Sequence, residues 1–216
     1  RDEVEKETGL DFLAELSDMW RGIDAVVDGN NHSAYASWHK AGRAFDTLFD
    51  FRDNAGLPLM EVVRENIGGE TYWRIFLKAD RQDGSLGMPL KVHPWDLTGR
   101  ARRQHPRDGG TWKPIPYGYY VDVSEIIRRG GWERISAIDR REFSWRWHFL
   151  AIEYWHHQRR DGLTWYQAMQ QVYPLERLER LFDWQLLERQ GEEPYSLFNN
   201  GIPRPVTGAV WRDIRP

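Results

Sequence analysis

The segment from Ser37 to Asp46 reads SWHKAGRAFD, and it constrains the fold more than any other stretch of the chain. Its second half has a pattern typical of a β-strand. Because residues two apart in a strand point to the same face, Gly42, Ala44 and Asp46 would line a face with no bulky side chain. An aspartate on such a face can bind a divalent cation, with His39 just before the strand as an imidazole ligand. The alternative is a buried aspartate bonded to backbone and a histidine that caps a loop.

The bulk composition excludes several classes of protein. The chain of 216 residues has no cysteine, which excludes disulfides, thiolate metal ligands and a cysteine nucleophile. A net charge of −3 gives no reason to expect a nucleic-acid partner, and the basic run from Arg100 to Arg107 is interpreted as a solvated loop. No apolar stretch approaches the roughly 20 residues of a transmembrane helix, so no membrane span is expected. The chain begins at Arg1, which suggests a processed chain or a domain of a longer protein.

The order of predicted elements indicates a mixed α+β fold in a single domain, residues 1–216. Helical periodicity predicts terminal helices over 10–24 and 163–191, the second interrupted by Pro174. Between them the chain is rich in strand patterns, and the expected core covers about 35–158. The remaining expectations are a strand over 42–51, a hairpin within 59–79 and an extended tail over 192–216.

Five positions of the opening segment fit the pattern S-x-H-x-x-G-x-A-x-D, namely Ser37, His39, Gly42, Ala44 and Asp46. From ordinary residue frequencies, such a coincidence arises in on the order of one in ten thousand chains of this length. The pattern resembles the first metal-binding motif of the zinc D-Ala-D-Ala peptidases, which include VanY-type carboxypeptidases, VanX-type dipeptidases and LAS-type peptidoglycan endopeptidases. The resemblance implies that His39 and Asp46 are zinc ligands. It also implies a second motif downstream, with an acid three residues before a histidine.

The residues EYWH, Glu153 to His156, resemble that second motif, which reads E-x-W-H in the family. The resemblance implies that Glu153 is the catalytic base and His156 the third zinc ligand. His148 is the alternative ligand, although the residue three before it is Trp145, which cannot act as a base. His157 would point away from His156, and either supports the site or lies at the surface. Two histidines and one aspartate leave a fourth coordination position open, which is the arrangement of catalytic zinc.

The resemblance further implies a small antiparallel sheet that carries the metal site and is packed by helices, with the terminal helices as additions. The implied activity is hydrolysis of peptide bonds next to D-amino acids in peptidoglycan stem peptides. The implied location is extracytoplasmic, in the cell envelope or secreted. Ser37 and Trp155 are expected to contact the substrate, because aromatic walls beside a metal suit a glycan or a peptide. For Trp155, as for any tryptophan near this motif, a position in the core is the alternative.

One feature of the family is not matched. An arginine in a Tyr-Arg-Ser-like segment usually precedes the first motif and holds the substrate carboxylate or the developing oxyanion. Only Arg21 and Arg43 lie near the motif here, and strand alternation predicts that Arg43 faces away from the metal. Two hypotheses therefore stand: a zinc peptidase, and a non-catalytic zinc-containing module that binds cell wall or protein. The hedgehog signalling domain, which resembles this family, is an example of the second kind.

Overall fold

A computed structural model describes residues 1–23, 37–182, 198–199 and 202–203. The helices in these residues are α1 (Asp2–Thr8), α2 (Gly99–Gln104), α3 (Val123–Arg129), α4 (Trp165–Gln170) and α5 (Leu175–Phe182), with short 3₁₀ helices at Phe12–Ala14 and Phe149–Ala151. The strands are β1 (Ala44–Asp46), β2 (Met60–Ile67), β3 (Glu70–Lys78), β4 (Met88–Pro89), β5 (Trp95–Asp96), β6 (Thr111–Trp112), β7 (Tyr119–Asp122), β8 (Glu133–Arg134), β9 (His156–Gln158), β10 (Phe198–Asn199) and β11 (Ile202–Pro203).

The strands of the described residues form small sheets. The largest has the order β2-β3-β7-β4 with antiparallel neighbours, and a three-stranded sheet has the order β1-β9-β8. Two-stranded ladders join β5 to β6 and β10 to β11. The predicted mixed α+β class is confirmed by this combination of helices and sheets. In the described part of the chain, no helix is long and apolar enough to cross a bilayer.

The predicted hairpin is present as β2 and β3, joined by the two-residue turn Gly68–Gly69. Side chains of β3 alternate between the two faces of the sheet, so every second one is buried. Trp73, Ile75 and Leu77 are the buried set, with at most 1% of their surface exposed. The predicted hairpin is therefore confirmed, and its buried face is seen in the structure.

Contacts divide the chain into two compact units. The first consists of Arg1–Ser17 and Asp46–His157, and its core lies under the β2-β3-β7-β4 sheet and α3. The second consists of Asp18–Phe45 and Gln158–Pro216. Its described core comprises Ile23, Trp38, Ala41, Ala44, Trp165, Ala168, Met169 and Leu178.

The prediction of one helix over 10–24 is wrong for the described residues of that range. α1 precedes this range, ends at Thr8 and is capped by Gly9. Only a 3₁₀ turn at Phe12–Ala14 follows, with no helix over 15–23. Ser17 uses its backbone N–H and its hydroxyl to bond the carbonyls of Asp46 and Thr47, at 2.9 and 3.0 Å. Backbone and hydroxyl bonds to a distant part of the chain thus outweigh the helical periodicity of this segment.

The C-terminal helices are shorter than predicted. Thr164 and Gln167 form a capping box that starts α4, and α5 begins directly after Pro174. Residues 183–191 of the predicted helix lie outside the described residues. Of the predicted extended tail, the described residues are the short strands β10 and β11.

Candidate metal centre

The first motif forms a tight turn that leads into β1. The N–H groups of Lys40, Ala41 and Gly42 donate to carbonyls three residues earlier, at 3.0 to 3.1 Å. This turn contains His39, which precedes the start of β1 at Ala44. The imidazole is 1% exposed. A buried histidine in a turn fixed by backbone bonds is held in one position, which a metal ligand requires.

Gly42 belongs to the turn and not to the strand, contrary to the prediction of a strand over 42–51. Its φ is 64°, a left-handed conformation that disfavours residues with a Cβ. A Cβ built at this position would lie 2.9 Å from a ring carbon of Trp20. The motif glycine is therefore required by backbone conformation and by the close approach of an indole, not by a bare strand face. β1 is consequently short, and only Ala44 and Asp46 share its face.

β1 and β9 pair so that Asp46 stands opposite His156. Their register makes this a non-hydrogen-bonded pair of an antiparallel ladder, the arrangement in which facing side chains come closest. His156 Nδ1 and Asp46 Oδ1 are 3.0 Å apart, and both side chains are buried. The register follows from two backbone bonds of 2.9 Å, Thr47 N–H to the Trp155 carbonyl and Arg159 N–H to the Arg43 carbonyl.

His39, Asp46 and His156 form a buried group that could hold a metal ion. Each offers one ligand atom, and these atoms all lie within 4.8 Å of one another. Among the described residues this is the group of histidine and acidic side chains that meets the spacing of a metal site. The three ligands predicted from two motifs more than a hundred residues apart in the chain are thus brought together.

The spacing within the group suits a small cation. Ligand atoms about 2.0–2.2 Å from a tetrahedral ion stand about 3.3–3.6 Å from one another. The Asp46–His156 pair, at 3.0 Å, is already near that separation. The group therefore needs only small side-chain adjustments to surround an ion, and its two imidazoles and one carboxylate are donors that zinc accepts.

Glu153 begins the turn that precedes His156, and its carbonyl accepts the His156 N–H at 3.2 Å. Its φ is 62°, which is uncommon for a residue with a side chain. The side chain is half-buried, in contrast to the fully buried ligands. Backbone strain of this kind persists where the surrounding structure imposes it, and such strain is concentrated at functional sites.

The two residues expected to contact substrate have structural partners of their own. The carbonyl of Ser37 accepts the indole N–H of Trp165 at 3.0 Å. Trp155 is 3% exposed, and its ring packs edge-on against Phe49 and stacks on Phe149. The structure thus places Trp155 in the core, and its contact with substrate stays a prediction.

The other two histidines near the second motif lie outside the ligand group. His157 is fully buried. Of its two predicted positions, in support of the site or at the surface, the second is therefore wrong. Its Nδ1 lies 3.0 Å from the Trp155 carbonyl and therefore carries a proton, while burial lowers the pKa of the ring to about 4. His148 caps a 3₁₀ helix and packs on Phe143, with 4.4 Å between ring centroids.

The two arginines closest to the first motif in sequence are held by other residues. Arg43 donates to Asp161 at 2.8 Å and to Gln171 at 2.9 Å. Hydrogen bonds from Arg159 and Arg43 hold the pKa of Asp161 below its ordinary value. Arg21 donates to Asp18 at 2.6 Å. Neither is thus a ready counterpart of the arginine that the family uses.

Sequence reasoning missed the residues that support the first turn. Trp20 lies over Gly42, and the indole of Trp165 bonds the turn from more than a hundred residues away. The abundance of tryptophan near the second motif was a signal that these rings have a structural role, but no local pattern assigns a partner.

Comparisons of the chain with protein-family models, with curated proteins and with solved structures found no match.

Proposed function

We propose that the protein is a zinc-dependent peptidase that hydrolyses peptide bonds next to D-amino acids in peptidoglycan stem peptides. The observation that carries the proposal is the meeting of His39, Asp46 and His156, which were assigned as ligands from two separate motifs. A chance combination of motif-like residues would leave these side chains scattered over the fold. An extracytoplasmic location is part of the same proposal, since peptidoglycan lies outside the cytoplasmic membrane.

The chemistry of the three side chains fits zinc. His39, Asp46 and His156 supply two nitrogen donors and one oxygen donor, all buried, and no thiolate is present in the chain. When bound in such a three-ligand set, zinc supplies Lewis acidity, which polarises a carbonyl and makes water more acidic. The residues must hold their positions without the ion, and the short turn and the β1–β9 pairing provide this.

Glu153 is proposed to accept the proton of the water that attacks the peptide carbonyl. Its half-buried side chain precedes His156 by one turn of chain, so the base and a ligand come from the same local structure. A carboxylate that accepts a proton in the transition state needs access to water and substrate, and the side chain of Glu153 is less buried than those of the three ligands. General-base catalysis of this kind contributes about 10²–10⁴-fold to the rate.

The test replaces Glu153 by glutamine, which keeps the size and removes the proton acceptor. Glu153→Gln is expected to lose about 10²–10⁴-fold in turnover while it binds the same amount of zinc as the wild type. Cleavage of stem peptides and of peptides that end in D-Ala-D-Ala is followed by mass spectrometry, with metal content measured on the same samples. The exposed Glu142 provides the control, since Glu142→Gln is expected to keep full activity. An active Glu153→Gln variant would contradict the role of Glu153.

A second function, a zinc-containing module that binds cell wall or protein without cleaving it, is favoured by one observation. The arginines near the first motif, Arg21 and Arg43, are bonded to Asp18 and to Asp161 and Gln171. A peptidase that grips a free carboxylate would need such a cation. If the zinc-loaded wild type cleaves none of the peptides yet binds cell-wall fragments, the peptidase proposal is wrong and this function replaces it.

A further inference from the structure

A second cluster of polar groups lies in the first unit and has no part in the proposed catalysis. We call it the Arg64 cluster: Arg64 on β2, Trp73 on β3, Trp95 on β5, Arg102 on α2 and Trp145 before the second 3₁₀ helix. Arg64 and Trp73 face each other across the β2–β3 ladder. The centroid of the Trp73 ring is 6.2 Å from that of Trp95 and 5.6 Å from that of Trp145.

The guanidinium of Arg64 lies between two indole rings. Its central carbon is 5.0 Å from the centroid of Trp95 and 4.6 Å from that of Trp145. The guanidinium of Arg146 lies at the same distance, 4.6 Å, from the Trp145 ring. Both guanidinium groups thus contact the Trp145 ring. Each is attracted to the indole, but the two positive charges repel each other.

The cluster is rich in hydrogen-bond donors that have no acceptor. The buried donors without a partner are Arg64 Nε, Arg102 Nε, Trp73 Nε1, Trp95 Nε1 and Trp145 Nε1. The three tryptophans are at most 5% exposed. Most buried polar groups in proteins are satisfied, so five such donors within one cluster indicate that an acceptor binds there.

The charge of Arg64 is also not neutralised by a contact. Among the described residues, no carboxylate lies within ion-pair distance of its guanidinium, whereas Arg74 on the neighbouring strand pairs with Glu65 and Asp122. Burial and the charge of Arg146 lower the pKa of Arg64, and the more distant carboxylates Asp108 and Asp139 offset this only in part. An arginine nevertheless keeps its proton at neutral pH.

Water is a poor occupant for this cluster. A water molecule must donate two hydrogen bonds as well as accept them, and both indole and guanidinium groups only donate. A small anion accepts bonds from every side and neutralises the charge of Arg64. The planar fork of a guanidinium matches the two oxygens of a carboxylate or a phosphate.

Two glycines allow a loop to lie directly against the rings. A Cβ at Gly109 would lie 2.8 Å from the Trp145 ring, and a Cβ at Gly110 would lie 2.7 Å from Trp95 Nε1. Both glycines have positive φ, at 63° and 137°. Their lack of side chains lets this loop pack directly against the rings of Trp95 and Trp145.

We propose that the Arg64 cluster is a binding site for a small oxyanion of the carboxylate or phosphate type. The guanidinium of Arg64 supplies the charge and the paired donors, and the surrounding indole N–H groups donate to no acceptor among the described residues. The site uses none of the candidate zinc ligands, so it stands or falls independently of the peptidase proposal.

The test follows the indole N–H signals of Trp73, Trp95 and Trp145 by NMR, assigned with single tryptophan-to-phenylalanine variants. The protein as purified is titrated with acetate, phosphate and chloride at constant ionic strength. Saturable shifts of these signals with acetate or phosphate, and not with chloride, are expected, and the stronger of the two identifies the class of oxyanion. At ten times the dissociation constant, the Tm should rise by about 3–6 °C.

Two variants separate specific binding from a general response to charge. Arg64→Lys keeps the charge but not the fork, and it should weaken binding at least tenfold. Arg128→Gln removes an arginine that pairs with Glu125 at the surface, and it should bind as the wild type does. Because the indole signals of the wild type decide the matter by themselves, a variant that fails to fold does not affect the result. Absent shifts, or equal shifts with chloride, would overturn the proposal.

Discussion

Gly42 and Glu153 adopt almost the same backbone conformation, with φ of 64° and 62°, in the two turns that deliver the candidate metal ligands. In the first turn the position is filled by glycine, which has no penalty there. In the second it is filled by a glutamate, which tolerates this conformation at a cost of order 1–2 kcal/mol. The backbone of the first turn is therefore unstrained at Gly42, whereas that of the second turn is strained at Glu153.

The two turns differ because their residues have different tasks. Gly42 lets the chain reverse beneath Trp20 in the turn between His39 and β1, and a ligand atom of His39 lies within 4.8 Å of one of Asp46. Glu153 is the proposed base, and a glycine at this position would give the same turn without a carboxylate. The strain at Glu153 is thus consistent with a need for its side chain, whereas the first turn needs only the backbone conformation that glycine allows.

The largest effect is expected from removing a ligand on either turn. His39→Ala and His156→Ala should each reduce zinc from about one ion per chain to a small fraction, because two protein ligands hold zinc poorly. Metal content of the purified variants measures this. His148→Ala is the matched control and should keep its zinc. Zinc that persists in His39→Ala, or disappears in His148→Ala, would show that the ligand set is wrong.

A large loss of stability is expected from Gly42→Ala. The left-handed backbone and the contact of the new Cβ with Trp20 should together lower the free energy of unfolding by about 2–4 kcal/mol. Denaturant unfolding measures the loss. Gly22→Ala is the control, since a Cβ there meets nothing within 4 Å, and it should change stability by less than about 0.5 kcal/mol. The double variant Gly42→Ala/Trp20→Ala removes the contact between the new Cβ and the indole. If it is no more stable than expected from the two single variants, that contact is unimportant.

A smaller effect tests the strain in the second turn. Glu153→Gly should be more stable than Glu153→Ala by about 1 kcal/mol, because glycine has no penalty at this φ. Thermal or denaturant unfolding of the two variants gives the difference. The exposed Glu5 in α1 serves as the control position, where alanine should instead be the more stable by about 1 kcal/mol. If the alanine variant is more stable than the glycine variant at both positions, the backbone at Glu153 is not strained.

The comparison also shows which parts of the molecule a sequence can predict. The β2–β3 hairpin and the start of α5 after Pro174 were predicted, because alternation and proline act over a few neighbouring residues. The helix over 10–24 was predicted but is absent over 15–23, because this segment makes hydrogen bonds to a distant part of the chain that the sequence does not display. Ser17, for example, bonds the backbone of Asp46 and Thr47.

From the sequence alone came the candidate ligands, His39, Asp46 and His156, through the resemblance of two short motifs to those of a known metal-binding family. Only the tertiary structure decided that they meet. The pairing of β1 with β9 brings Asp46 against His156 across more than a hundred residues, and such a contact depends on backbone hydrogen bonds between distant strands. The same reason explains the Arg64 cluster, whose rings and cations come from separate strands, a helix and a loop. No local pattern marks it, because its members become neighbours only when the chain is folded.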